Sequence, residues 1–389
     1  MKLITPTIFL LSMVSLFTDI ASEMLYPVMP IYLKSIGFSI LLIGVLEGFA
    51  EAIAGLSKGY FGKKSDTIGK RLPFVQIGYF LSAISKPLLV VFTFPIWIFL
   101  SRTIDRLGKG IRTGARDALL SDEATKETKG RVFGFHRSMD TFGAVVGPLF
   151  ALLYLAWKPE DYKTLFYISI IPGVLAISFT FFLKEKAKNQ VPTAKKVRFF
   201  DFLTYWKQSP LKYRKLVLGL LVFALFNSSD VFLLLKIKEA GFDDVTLIGV
   251  YIFYNFIYAF FAFPLGSLAD KLGMKKVFVG GLFLFAFVYL GMAFASQKEV
   301  YFLLFFIYGI YAAATDGISK AWISTISAKE NTATAIGTYA AFQSLAALFS
   351  SAFAGLIWFV FGANPLFIFS GLATLIVAFY FIFRVKSEN

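Results

Sequence analysis

The chain has no cysteine and a single histidine, His136. Disulfide scaffolds, iron–sulfur sites and zinc fingers are therefore excluded. No H-x-x-x-H or paired-histidine spacing supports another metal site, and no metal or cofactor is expected. Charge is scarce as well. Only 16% of the 389 residues are Asp, Glu, Lys or Arg, against roughly a quarter in a soluble domain. Apolar residues take their place: 57% are hydrophobic, 18% aromatic, and the mean hydropathy is +0.71. Divided into membrane spans of about 20 apolar residues, the chain leaves no room for a separate soluble catalytic domain. The net charge of +15 does not point to nucleic acid, because apolar runs separate the basic clusters. It fits the concentration of Lys and Arg on cytoplasmic loops.

Apolar runs bounded by charged or Pro/Gly clusters place twelve spans at 7–33, 40–61, 73–93, 96–119, 132–156, 164–183, 215–235, 245–268, 277–296, 300–325, 333–361 and 365–383. Each must be helical, because lipid offers the backbone no other partners. Pro27, Pro30, Pro148, Pro172 and Pro264 sit in or at the ends of spans, where a bundle tolerates kinks. The first run, from Ile8 to about Tyr32, is too long for a signal-peptide core and reads as a retained span. With the N-terminus inside, inner loops and tails carry 24 basic residues and outer loops 6. Both termini are therefore expected in the cytoplasm and the chain in the plasma membrane, the inner membrane of a bacterium. The basic stretch 184–214 reads as a cytoplasmic linker between six-helix bundles at 1–183 and 215–389. Tethering and topology are its plain roles, and anionic lipid is a second possible partner.

The halves repeat. Gly62-Lys-Lys-Ser-Asp66-Thr-Ile-Gly69-Lys70-Arg71 follows span 2, and Gly266-Ser-Leu-Ala-Asp270-Lys-Leu-Gly273-Met-Lys275-Lys276 follows span 8. Both read G-x-x-x-D-x-x-G-x-[RK], 204 residues apart. Gly37-Phe38 matches Gly241-Phe242, and Ile43-Gly44-Val45 matches Ile248-Gly249-Val250. Repeated halves are characteristic of transporters with a central site.

On these residues the chain resembles the major facilitator superfamily. The resemblance implies an all-helical integral membrane fold, twelve spans in two six-helix halves. It identifies Gly62, Asp66, Gly69, Arg71, Gly266, Asp270 and Gly273 with the family's loop 2–3 motif, a cytoplasmic latch. The glycines would permit tight turns, and each carboxylate would cap a helix or pair with a base. Gly143, Gly147 and Pro148 in span 5 resemble the family's antiporter motif, with Ala151 in place of its last glycine. Two glycines four apart allow close helix packing.

Span 4 carries Arg102, Asp105, Arg106, Lys109, Arg112 and Arg116 within an arc of about 120° at helical periodicity. Arg102, Asp105 and Gly108 resemble the family's span-4 pattern, and the resemblance turns this stripe toward the central cavity. Arg112 and Arg116 read as anchors near the cytoplasmic end. Asp19 and Glu23 share one face of span 1, at a depth that overlaps Arg102. Asp19, Glu23 and Asp105 are therefore the candidates for carrying a coupled proton, with Asp140 and Glu51 as further acids. Arg102, Arg106, Lys109, Tyr26, Asn227 and Asp230 are the candidates for substrate binding. Glu47 and Glu51 extend the acidic surface or pair with Lys86 and Lys58, Asp316 pairs with Lys320, and His136 is a gate or packing residue.

The expected function is secondary transport by alternating access: proton-coupled export of a small amphipathic molecule, anionic or zwitterionic, by a monomer. Proton-coupled uptake of an organic anion uses the same acids and stands as the alternative. A membrane enzyme acting on lipid needs an interfacial His/Asp or Ser cluster that this sequence lacks, so enzyme activity is not expected.

Overall fold

The computed structural model describes residues 4–26, 28–185 and 197–385, and all regular structure within them is helical. Lys186, Lys188, Lys195 and Lys196 of the linker, together with Lys2, Pro27, Lys386 and Asn389, lie outside the described residues. The first span is two helices in series, α1 (Pro6–Glu23) and α2 (Met29–Ser35). Four long helices follow: α3 (Ile40–Ile68), α4 (Leu72–Val91), α5 (Pro95–Glu123) and α6 (Lys129–Trp157). The sixth span is again paired, α7 (Tyr162–Ile168) and α8 (Ile170–Phe181). After the short linker helix α9 (Thr204–Gln208), the seventh span divides into α10 (Leu211–Phe226) and α11 (Val231–Glu239). The remaining spans are α12 (Asp244–Leu272), α13 (Met274–Phe294), α14 (Lys298–Ile326), α15 (Thr332–Phe361) and α16 (Ala363–Arg384).

Nine stretches of the described residues are long and apolar enough to cross a membrane. Helices α1, α3 and α5 are not among them. They bear Asp19 and Glu23, Glu47 and Glu51, and the basic stripe from Arg102 to Arg116. Such charges are expensive in a span unless they face partners or a water-filled space. Large side chains such as Phe181, Phe294, Phe359 and Phe383 stand exposed on the outer surface, as lipid-facing residues do.

Two spacings carry the repeat into three dimensions. Gly37 and Gly241 both take left-handed φ, +93° and +91°. After each, a phenylalanine N–H returns to a carbonyl five residues back: Phe38 to Leu33 at 3.0 Å and Phe242 to Ile237 at 3.3 Å. This is a Schellman closure, and the next polar residue starts the following helix. Ser39 caps α3 through Leu42 N–H at 3.2 Å, and Asp243 caps α12 through Thr246 N–H at 2.7 Å. The first and seventh spans are also each two helices, parting after Glu23 in the first and after Phe226 in the seventh. The polar run Asn227-Ser228-Ser229-Asp230 marks the second parting. Broken spans at matching positions of two repeats mark the region where transporters bind substrate and ions.

Helices α3 and α12 run past the ends expected from hydropathy, through the charged residues to Ile68 and Leu272. Gly62 and Gly266 therefore lie inside helices, and only Gly69 and Gly273 occupy the turns, with φ of +72° and +94°. A Cβ on Gly62 would collide with the Ala333 carbonyl of α15, and one on Gly266 with the Gly130 carbonyl of α6. These two glycines serve close helix approach rather than a turn.

The chain forms two compact units. One comprises Met1–Glu123, Met139–Gln208 and Ala328–Ser344; the other comprises Ala124–Ser138, Ser209–Ser327 and Leu345–Asn389. In the first, α5 packs against α3 and α4, with Gly78 and Gly108 in mutual contact. Gly143 and Gly147 bring α6 onto α1, where an added Cβ would meet the Leu16 carbonyl at 2.7 Å and Met24 N at 2.7 Å. In the second, α13 packs against α14 and α16, and α12 against α14.

Candidate functional site

The first unit holds a network of charges along α5. Arg102 clasps Glu47 of α3 in a bidentate pair, Nε to Oε1 at 2.8 Å and Nη2 to Oε2 at 2.9 Å. It also reaches Asp105 at 3.4 Å. Asp105 is 3.7 Å from Lys86 of α4. Arg106 lies 3.6 Å from Glu47 and 3.8 Å from Glu51. Glu51 is 3.9 Å from Lys58 on its own helix. Arg112 donates to Ser82 at 2.5 Å and lies over the Tyr79 ring, 4.5 Å from its centroid.

Lys109 stands apart from these pairs. It is the middle residue of α5, about 20 Å from either end at 1.5 Å per residue. Its side chain is exposed, yet its charged neighbours are Arg106, Glu51, Asp19 and Arg112, on α1, α3 and α5. Among the described residues its ammonium makes no ion pair. A cation at mid-span without a direct ion pair among the described residues, with other bases beside it, is a position that can take an anionic group.

The acids of α1 have a different partner from the expected one. Sequence depth places Asp19 opposite Arg102, whereas the structure places it against α6, beside Asp140. Gly143 allows this contact, because its missing side chain leaves room for Asp19 Cβ. Asp140 also accepts from Ser15 and is 4.0 Å from Arg116, which is itself held by Asp117 at 2.8 Å. Glu23 lies one helical turn on, and Tyr26 sits in the break after α1 with a half-exposed side chain. Arg102 went to Glu47 instead because α3 and α5 pack closely along their length.

The second unit is poor in charge and rich in tyrosine hydroxyls. Asp230, at the start of α11, accepts from Tyr308 at 2.6 Å and from Tyr254. Asn227 donates to the Tyr311 hydroxyl at 3.0 Å, and Ser228 is 3.3 Å from that of Tyr289. Asp316 pairs with Arg137 and accepts from Tyr258 at 2.9 Å. His136 is buried beside this pair in sequence. The i,i+3 pair Tyr308/Tyr311 was invisible in a chain with 18 Tyr and 48 Phe.

The repeated motifs meet helix N-termini. Asp66 accepts from Thr334 N–H at 2.7 Å, from its hydroxyl at 2.8 Å and from Arg71 at 3.2 Å. Arg71 also holds Asp122 and the Lys329 carbonyl, while Glu185 accepts from its N–H at 2.8 Å. Asp270 accepts from Gly130 N–H at 2.7 Å and Arg131 N–H at 2.9 Å, and from Arg131 Nε at 3.2 Å. Both carboxylates thus neutralise the first turn of a long helix, α15 and α6 respectively. Thr334 and Gly130 are themselves 204 residues apart, the spacing of Asp66 and Asp270. That spacing is the signal by which both cap partners were findable.

Comparison with known proteins gives one answer at the level of family. The family model described as Major Facilitator Superfamily matches residues 11–256 and 244–389. An uncharacterized MFS-type transporter of Methanocaldococcus jannaschii is 32% identical over 387 residues, 96% of this chain and 95% of its own. The human organic anion transporter MFSD10 superposes with a TM-score of 0.81 at 16% identity, covering 97% of this chain and 99% of that one. The Escherichia coli fucose:proton symporter FucP superposes with a TM-score of 0.76 at 15% identity, covering 97% and 98%.

Proposed function

The chain belongs to the major facilitator superfamily and is an integral membrane transporter, and from that premise we propose that it moves a small amphipathic organic anion or zwitterion by proton-coupled alternating access. The observation that carries the substrate class is Lys109. An exposed ammonium at mid-span, with Arg106 and Arg112 among its charged neighbours, offers charge-assisted hydrogen bonds to a carboxylate, sulfonate or phosphate group. Arg102 and Arg106 are occupied by Glu47 and Glu51, so their part is to position the patch and keep it positive.

Asp19 and Asp140 are the coupling pair in this reading. The two carboxyls lie side by side, and like charges so placed favour sharing one proton. Lys109 is a basic group in electrostatic reach of Asp19. A bound anion that takes Lys109 and a proton that neutralises Asp19 therefore favour one another, which fits movement of both together. Exchange of proton for substrate is favoured instead by the Gly143–Gly147 contact that seats Asp19, which belongs to the motif resembling antiporters. The orientation in this reading, in the inner membrane of a bacterium with both termini and the 184–214 linker cytoplasmic and halves at 1–183 and 215–389, follows the loop charges, and export is the direction the antiporter-like motif favours.

A direct test uses the purified chain and the sulfonate of benzene as an amphipathic anion. A ligand of the folded state raises apparent stability by mass action. Benzenesulfonate at a hundred times its dissociation constant is expected to add about 2.7 kcal/mol, read as a rise in thermal midpoint. Lys109→Ala is expected to lose most of that rise. An equal rise in wild type and variant contradicts the assignment.

The caps at Asp66 and Asp270 serve as latches on this reading. Asp66→Asn keeps the shape but removes the charge from the start of α15. It is expected to lower stability by about 1–2 kcal/mol and to shift the distribution of distances between labels on the cytoplasmic loops. Unchanged distances and unchanged transport would leave Asp66 with a topological role alone.

A further inference from the structure

We propose that the interruption of the seventh span and the tyrosines beside it form a subsite for an organic ammonium group. This rests on the transport reading above and adds to it a class of group, the organic ammonium, that the second unit recognises by itself.

The local chain shows the first sign. Asp230 is the residue that precedes α11, where an aspartate ordinarily caps its own helix. Its carboxylate makes no such cap. It turns instead to Tyr308, at 2.6 Å, and to Tyr254. Both partners are neutral hydroxyls, and among the described residues no basic side chain pairs with Asp230. Asp230 is only partly buried as a residue. In the same interruption, Asn227 spends its amide donor on Tyr311, and its carbonyl oxygen has no partner among the described residues.

Aromatic faces surround these acceptors. The Tyr254 and Tyr308 rings lie 5.0 Å apart, Tyr308 and Tyr311 5.2 Å, and Phe285 and Tyr311 5.0 Å. Ring faces attract cations and repel anions. The neighbourhood therefore holds acceptors, one carboxylate and several π faces, with no positive charge of its own. A sulfonate or phosphate would meet hydroxyl donors there but no cation, and would face the Asp230 charge.

The same helices show a completed version one turn away. Tyr258 follows Tyr254 by four residues on α12. There the Arg137 guanidinium lies 5.2 Å from the Tyr258 ring centroid and pairs with Asp316, which also accepts from Tyr258. Ring, carboxylate and cation are all supplied by the chain. At Tyr254 the ring and the carboxylate are present and the chain supplies no cation. An alkylammonium donates to Asp230 and rests on the Tyr254 and Tyr308 faces; a quaternary ammonium uses the charge and the faces alone.

The test uses the full chain, with benzyltrimethylammonium and phenylethylammonium as cationic probes, phenylalanine as a zwitterion and benzenesulfonate as the anion. Binding is read by thermal shift and by titration calorimetry. At least one cationic probe is expected to bind wild type and to bind Asp230→Asn at least tenfold more weakly. Benzenesulfonate affinity is expected to stay within threefold in that variant, which also shows that it is folded. Tyr308→Ala is expected to weaken cation binding, and Tyr308→Phe, which keeps the ring, to weaken it less. Cation binding that is equal in wild type and Asp230→Asn overturns the subsite. Benzenesulfonate binding without binding of either cation or of phenylalanine also overturns it, and leaves the anion site standing. Cation binding that depends on Asp230, in a chain that ignores benzenesulfonate, upholds the subsite and overturns the anion site.

Discussion

Asp19→Asn is expected to abolish uphill transport while leaving exchange of substrate intact. An amide at this position resembles a protonated acid in shape and neutrality, so the Asp140 contact persists without a titratable proton. The chain then binds substrate and cycles but has no proton to trade. In proteoliposomes, counterflow of labelled benzenesulfonate should stay within a few-fold of wild type. Accumulation under a pH gradient should fall to the level of protein-free vesicles. Asp140→Asn is expected to do the same, since the pair acts together. If Asp19→Asn, Asp140→Asn and the double variant all retain gradient-driven accumulation, the proton is carried elsewhere, with Glu23 and Asp105 the next acids to change.

Arg102→Ala is the second large effect. Arg102 joins three helices' worth of charge through Glu47 on α3, Asp105 on α5 and, through Asp105, Lys86 on α4. Removing one partner of a buried pair costs about 3–5 kcal/mol, because the other charge is left without compensation. The lower end applies here, as the Glu47 side chain is 36% exposed. A loss of about 3 kcal/mol should appear as a large drop in thermal midpoint. Glu47→Gln with Arg102→Gln, which removes both charges, should recover much of it. Arg102→Ala as stable as wild type would show that water satisfies the Glu47 and Asp105 carboxylates as well as the guanidinium does.

How much of this was readable beforehand varies by residue. The twelve spans were legible because apolar runs of sufficient length are scarce in any other kind of chain, and each run became one helix or two in series. The repeat was legible because its spacing recurs in Gly37 and Gly241, in Asp66 and Asp270, and in the two broken spans. The helix ends at Ile68 and Leu272 were not, since hydropathy stops at the first charges while the backbone continues to the first residue with positive φ. The charged stripe of α5 was visible from periodicity, but its pairing was not. Depth along a helix says which residues share a level, whereas the choice between Glu47 and Asp19 for Arg102 depends on which helices pack together. The contact of Asp19 with Asp140 depends on Gly143, a residue that leaves no charge pattern to read. The Tyr308–Asp230 contact joins residues 78 apart, and nothing in a chain so rich in aromatics singles out that tyrosine.

The most direct measurement is transport of labelled benzenesulfonate by the wild-type chain in proteoliposomes, with the membrane potential clamped and a pH gradient imposed in either direction. Coupled exchange predicts accumulation when the vesicle interior is acidic, and its collapse on adding a protonophore. Accumulation only when the exterior is acidic keeps the coupling and replaces exchange with symport. Uptake no greater than in protein-free vesicles, or uptake indifferent to both gradients, would contradict proton-coupled transport of an organic anion.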